Sequence, residues 1–172
     1  PGKIHSRVEM GKDGWLYFTT HRGSTRVTND ANHFRGDWIL RADPRTGTSE
    51  IVAHGPVPKH CLPTGMLDAE RLIYYASTAP GEDGTVPPNA FLAKIAPNGD
   101  VLWKVEYDSL NSRIGVLSVD HAGNVIAAGW LGDRIDFGGG ALTNPAFADD
   151  GPELPFVARL DPTGSGLLFS TF

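Results

Sequence analysis

Three stretches of this chain carry one pattern, and that pattern limits the folds open to it. Residues 38–47 read Trp-Ile-Leu-Arg-Ala-Asp-Pro-Arg-Thr-Gly. Residues 91–103 read Phe-Leu-Ala-Lys-Ile-Ala-Pro-Asn-Gly-Asp-Val-Leu-Trp, and residues 156–169 read Phe-Val-Ala-Arg-Leu-Asp-Pro-Thr-Gly-Ser-Gly-Leu-Leu-Phe. An apolar run, a Pro/Gly turn and a second run spell strand, turn, strand. Three copies of one hairpin in one polypeptide predict a repeat architecture.

The residues before each copy repeat as well. Residues 4–10 predict a short strand, Gly11-Lys12-Asp13-Gly14 a tight turn, and the aromatic and β-branched residues 15–20 a second strand. A polar loop over 21–37 leads to the first hairpin, which ends near His54. The pattern restarts with strands over 60–67 and 72–77, a Pro/Gly-rich loop over 78–89 and the second hairpin. Pro63 assigns its strand to a sheet edge or a strand start. It restarts again with strands over 114–119 and 125–130, the turn at 120–124, a Gly- and Asp-rich loop over 131–155 and the third hairpin. Twelve strands are expected, and no segment keeps a helical period for three turns.

Four-stranded units repeated in series predict an all-β fold, a β-propeller of about three blades near 2–55, 56–108 and 109–172. In such a meander the first-to-second and third-to-fourth turns share one end of each blade, and the other connections share the opposite end. Residues 21–37, 55–60, 78–89, 108–113 and 131–155 would then gather at one end, where a rigid scaffold usually carries its function. Natural propellers close with about four to eight blades. The chain opens without Met and ends on an apolar strand, so the expectation is a part of a six- to eight-bladed ring. Assembly with a second chain is the alternative.

Bulk properties exclude several classes. A formal net charge of -5 and no basic stripe argue against a nucleic-acid partner. No apolar run is long enough to span a membrane as a helix. Cys61 is the single cysteine, so no internal disulfide can form.

Two resemblances follow from particular residues. Residues 115–172 resemble the bacterial β-propeller repeat of large secreted and surface proteins, through Val119-Asp120-His121-Ala122-Gly123-Asn124-Val125, Asp136-Phe137-Gly138-Gly139-Gly140-Ala141-Leu142-Thr143 and the stretch from Phe156 to Phe172. That resemblance implies a propeller and an extracellular or periplasmic location, and no activity. Residues 2–78 are similar to gluconolactonase-like and streptogramin-lyase-like propellers. The carriers are Lys3-Ile4-His5-Ser6, residues 11–18, His21-Arg22-Gly23 and residues 54–60. No complete catalytic set from either family maps onto these positions.

Candidate site residues follow from the predicted topology. His5, His21 and His60 lie at the mouths of first strands or open a long connection, and imidazoles converging there could hold a divalent metal such as Ca, Mn or Zn. Histidines bonding loop carbonyls are the plainer expectation. Arg22 belongs to the same group. Asp149 and Asp150, with Asp133, Asp136 and Glu153, lie in the Gly-rich loop without the regular spacing of a calcium loop, so a solvated acidic loop is expected. Trp38 and Trp130 border long connections and could stack on a sugar or anchor a protein, although packing is the commoner fate. Trp15, Tyr17, Tyr74, Tyr75 and Trp103 are expected in the core. Arg7, Glu9, Arg41, Lys94 and Arg159 alternate with apolar residues, as on a solvated strand face, and the shared repeat position of Arg41, Lys94 and Arg159 favours a structural role.

The favoured expectation is a binding module for a protein or glycan ligand, working through the long connections. The alternative is a fragment of a metal-dependent lyase or lactonase acting on a carbohydrate or lactone. Metal bound by the native protein and lost in His5→Ala and His60→Ala would separate the two.

Overall fold

A computed structural model describes residues 3–4, 6–21, 38–54, 61–79, 89–149 and 151–172. Sixteen strands in four open sheets, with no α-helix, make up these residues. The protein is all-β, as expected. It divides into two compact units, residues 1–87 with 93–102 and residues 88–92 with 103–172.

The first sheet holds β1 (Lys3–Ile4), β2 (Glu9–Met10), β3 (Leu16–His21), β4 (Trp38–Ala42) and β5 (Ser49–His54), with β1 and β2 both pairing to β3. The single strand expected over 4–10 is therefore two short ones. Ser6 interrupts them, its hydroxyl accepting from Thr19 N–H at 2.7 Å in place of a ladder bond. The second sheet runs in the order β6 (Cys61–Asp68), β7 (Ile73–Ala79), β8 (Ala90–Ile95), β9 (Val101–Tyr107). The strand carrying Pro63 is the edge strand, and its ladder is irregular between Cys61 and Thr64, as a missing donor requires. The third sheet orders β11 (Arg113–Val119), β12 (Val125–Leu131), β15 (Leu154–Leu160) and β16 (Leu167–Thr171).

The turns follow from their residues. Asp43, Asp120 and Asp161 each accept, through Oδ1, the N–H two residues on, at 2.9 Å in every case. This local bond holds the chain reversal by contacts within the turn itself. Gly47, Gly123 and Gly164 follow with positive φ, as does Gly99 in the Ala96 turn, and side-chain-bearing residues adopt positive φ only at a cost.

Two of these turns are packed in the same way. A Cβ at Gly99, between β8 and β9, would stand 2.6 Å from Ala53 Cβ on β5, the last strand of the first sheet. A Cβ at Gly164, between β15 and β16, would stand 2.6 Å from the Trp103 ring on β9, the last strand of the second sheet. Each of these third-to-fourth strand turns therefore lies against the last strand of the sheet before it. Among the described residues nothing lies within 4 Å of the corresponding position at Gly47 in the first sheet. The contact at Gly164 is reinforced by hydrogen bonds. Tyr107 Oη donates to the Gly164 carbonyl at 2.5 Å, and Trp103 Nε1 donates to the Pro162 carbonyl at 3.2 Å.

The alternating charges are partly solvated, with Arg7 exposed, and several take structural partners. Glu9 is not simply solvated: its carboxylate accepts from Leu67 N–H on β6 at 2.5 Å. Arg41 stacks 4.4 Å over Trp15 and pairs with Glu50 at 2.6 Å, Lys94 Nζ lies 5.5 Å from the Tyr75 ring, and Arg159 pairs with Asp120. A half-buried cation retains its charge by finding a π-face or a carboxylate. The three solutions differ at one repeat position because the neighbouring residues differ. Tyr17 and Tyr75 are core residues, as expected.

Candidate binding platform

The connection from β12 to β15 is folded rather than a solvated loop. Within it, β13 (Arg134–Ile135) and β14 (Leu142–Thr143) form a ribbon with β10 (Ser109–Leu110), which comes from the connection after β9. Two connections expected at one end of the sheet thus share a small sheet. A single-turn 3-10 helix, Pro145–Asp149, follows.

Side chains explain why this segment folds. Phe137 is buried, its ring 4.9 Å from that of Tyr107 and 5.5 Å from that of Phe156. Asp136 Oδ1 accepts from Gly138 N–H at 2.7 Å and Gly140 N–H at 3.2 Å, which turns the Gly-rich stretch back on itself. Buried Asn144 donates through Nδ2 to the Pro152 carbonyl at 2.9 Å and to the Leu131 carbonyl at 3.4 Å, tying both ends of the segment together. Arg134 pairs with Asp108 at 3.0 Å across the ribbon. Phe137, Asn144 and Tyr107 do not stand out in the sequence as individual site residues. The one signal there is Ile135-Asp136-Phe137, an apolar alternation too short to be distinctive in a Gly-rich stretch.

One exposed cluster borders this platform. Trp130, near the end of β12, is 42% exposed, and the Arg113 guanidinium lies 5.0 Å over its ring. Arg113 also pairs with Glu153 at 2.9 Å. Gly115 leaves room for the indole, whose ring occupies the space a Cβ there would need. An exposed indole beside a guanidinium and a carboxylate offers an apolar stacking surface flanked by charged hydrogen-bonding groups. That chemistry suits a sugar ring or a protein side chain.

The remaining candidates are placed as follows. His5, Arg22, His60 and Asp150 lie outside the described residues. His21 ends β3, where its backbone pairs with Lys3, and Asp149 ends the 3-10 helix. Trp38 pairs with His54 across β4 and β5, with ring centroids 4.6 Å apart. Among the described residues, no three His, Cys, Asp or Glu side chains come close enough to hold a metal ion. No described helix is long and apolar enough to cross a membrane.

Several described groups are electrostatically displaced, among them Asp120, Asp161 and Tyr107. The Asp120 carboxyl is held far below the usual carboxylate range, first by Asn124 Nδ2 and also by Arg159. Asp161 is lowered by the Thr163 hydroxyl, and burial pushes the Tyr107 phenol well up. All three lie in turns or the core, so their shifts serve the fold. Neither the protein-family models nor the curated proteins compared with this chain give a match.

Proposed function

We propose that the chain is a β-propeller module of a secreted or surface bacterial protein, and that it binds a protein or glycan through the end carrying the long connections. The observation that carries the fold half is the repeated seating of one turn. Gly99 lies on the last strand of the first sheet and Gly164 on the last strand of the second, as successive blades require. The strand order of the second and third sheets, each a meander, supports it. So does the resemblance of residues 115–172 to the bacterial propeller repeat.

The binding half rests on the platform formed by β10, β13 and β14 and on Trp130, Arg113 and Glu153 beside it. Strands β11 and β12 carry Arg113 and Trp130, and the folded connection carries Glu153, so the groups are held in place and the entropic cost of capturing a ligand is lowered. A glycan array and a pull-down with surface extract from the source bacterium, each run with the native protein and with Trp130→Ala, test this reading. A ligand whose affinity falls about 10- to 100-fold in Trp130→Ala is expected. Equal binding by the two proteins would remove Trp130 from the site.

A further inference from the structure

We propose that Asn98 is a site of spontaneous covalent modification, deamidation through a succinimide, and that the native hairpin turn withholds the reaction until it opens.

The sequence selects the residue. Deamidation needs the main-chain nitrogen of the next residue to reach the carboxamide carbon, and a residue without Cβ obstructs that approach least. Of the seven asparagines, Asn98 alone precedes glycine. Asn144 precedes Pro145, which has no N–H to give up, and Asn124 precedes the β-branched Val125. Asn98 is exposed in the turn between β8 and β9, so water reaches its carboxamide.

Water is the only co-reactant required. The Gly99 nitrogen gives its proton to solvent and attacks Asn98 Cγ. A C–N bond forms, the Cγ–Nδ2 bond breaks, and Nδ2 leaves as ammonia after taking a proton from water. A second water then opens the imide ring at either carbonyl, which yields aspartate or isoaspartate.

The native turn holds each reacting group. Gly99 N–H donates to the Ala96 carbonyl at 2.9 Å, and Ala96 N–H donates to the Asp100 carbonyl at 2.8 Å to close the hairpin. The nucleophile's proton is therefore engaged. Asn98 Nδ2, the leaving group, donates to Asp100 Oδ2 at 2.7 Å, and Asn98 Oδ1 accepts from Asp100 N–H at 3.1 Å. The carboxamide is thus tied forward to Asp100 while the Gly99 N–H is tied back to Ala96. The Asp100 carboxylate also stands beside the group on which negative charge develops during attack, which raises the barrier. Gly99 itself is closely packed: a Cβ there would stand 2.6 Å from Ala53 Cβ and 3.1 Å from the Val52 carbonyl.

The products do not suit the same turn. Isoaspartate adds one carbon to the main chain of a turn packed against β5. Aspartate replaces the donor to Asp100 with a second carboxylate, so a hydrogen bond becomes a repulsion. An opening that ends in reaction therefore leaves a weaker hairpin behind it.

Ammonia release and isoaspartate content, the latter located by peptide mapping, are followed in mildly alkaline buffer. Three samples are compared: the native chain, the same chain held unfolded in guanidinium chloride, and Asp100→Ala. Ammonia separates this reaction from isomerisation at Asp13-Gly14 and other Asp-Gly pairs, which releases none. Modification is expected at Asn98 ahead of the other asparagines. It should run about 10-fold or more faster in the unfolded chain, because the rate follows the population of the open turn. Asp100 is exposed, so Asp100→Ala should keep a urea midpoint close to the native one. It should nevertheless modify about 3-fold or more faster than the native chain, as the loss of one hydrogen bond implies. Equal rates in the folded and unfolded chains overturn the proposal, and so does modification that spares Asn98. A folded Asp100→Ala that keeps the native rate also overturns it. Should that variant fail to fold, the native-to-unfolded ratio decides by itself.

Discussion

Arg159 on β15 donates to the carboxylate of Asp120, which opens the turn between β11 and β12, 39 residues earlier. The same carboxylate accepts from Ala122 N–H, Asn124 N–H and Asn124 Nδ2, each at 2.9 Å. One side chain thereby shapes a turn and ties it to the third strand of its sheet. Asp120→Asn keeps the shape and removes the charge. It is expected to lower the unfolding midpoint and to make a subsequent Arg159→Gln nearly neutral. A double-mutant cycle by urea denaturation measures this, and independent, additive losses would show that the pair is not coupled.

Acid should act through the turns. Asp43, Asp120 and Asp161 are all lowered, by Arg45, Asn124 and Thr163 first in each case. A group whose folded pKa is depressed contributes stability above its unfolded value, near about 3.9, and loses it as pH falls toward the folded value. Urea midpoints are therefore expected to be flat from neutral pH down to about 5 and to fall steadily below about 4. Asp120→Asn should flatten that acid limb, and an unchanged limb in the variant would remove Asp120 from the cause.

The platform should behave as core. Phe137 is buried against Tyr107 and Phe156, so Phe137→Ala is expected to cost about 3–5 kcal/mol in urea unfolding. A residue on a solvated loop would cost within about 0.5 kcal/mol. A small loss would return the segment to the solvated loop that its composition suggests.

What could be read in advance was the part with short-range causes. β9 and the turns at Gly99, Gly123 and Gly164 follow from apolar runs and from residues that favour a local reversal. The ribbon was hidden because strands of two residues carry no period. The alternating charges suggested a wet face, yet Glu9 and Arg159 bond to Leu67 and Asp120, distant in sequence. Long-range partners leave no local pattern. Trp130 stands out in the sequence as a candidate, but nothing there joins it to Arg113 and Glu153, which lie 17 and 23 residues away.

The stacking of like sheets is tested most directly by three glycine-to-alanine substitutions. Gly47, Gly99 and Gly164 share positive φ, so each alanine carries a similar backbone cost of about 1–2 kcal/mol. Only Gly99 and Gly164 face an atom of the preceding sheet. The three are compared by urea unfolding. Gly99→Ala and Gly164→Ala are predicted to lose clearly more stability than Gly47→Ala, by about 1–3 kcal/mol for the added overpacking. Equal losses at all three positions would contradict the stacked arrangement.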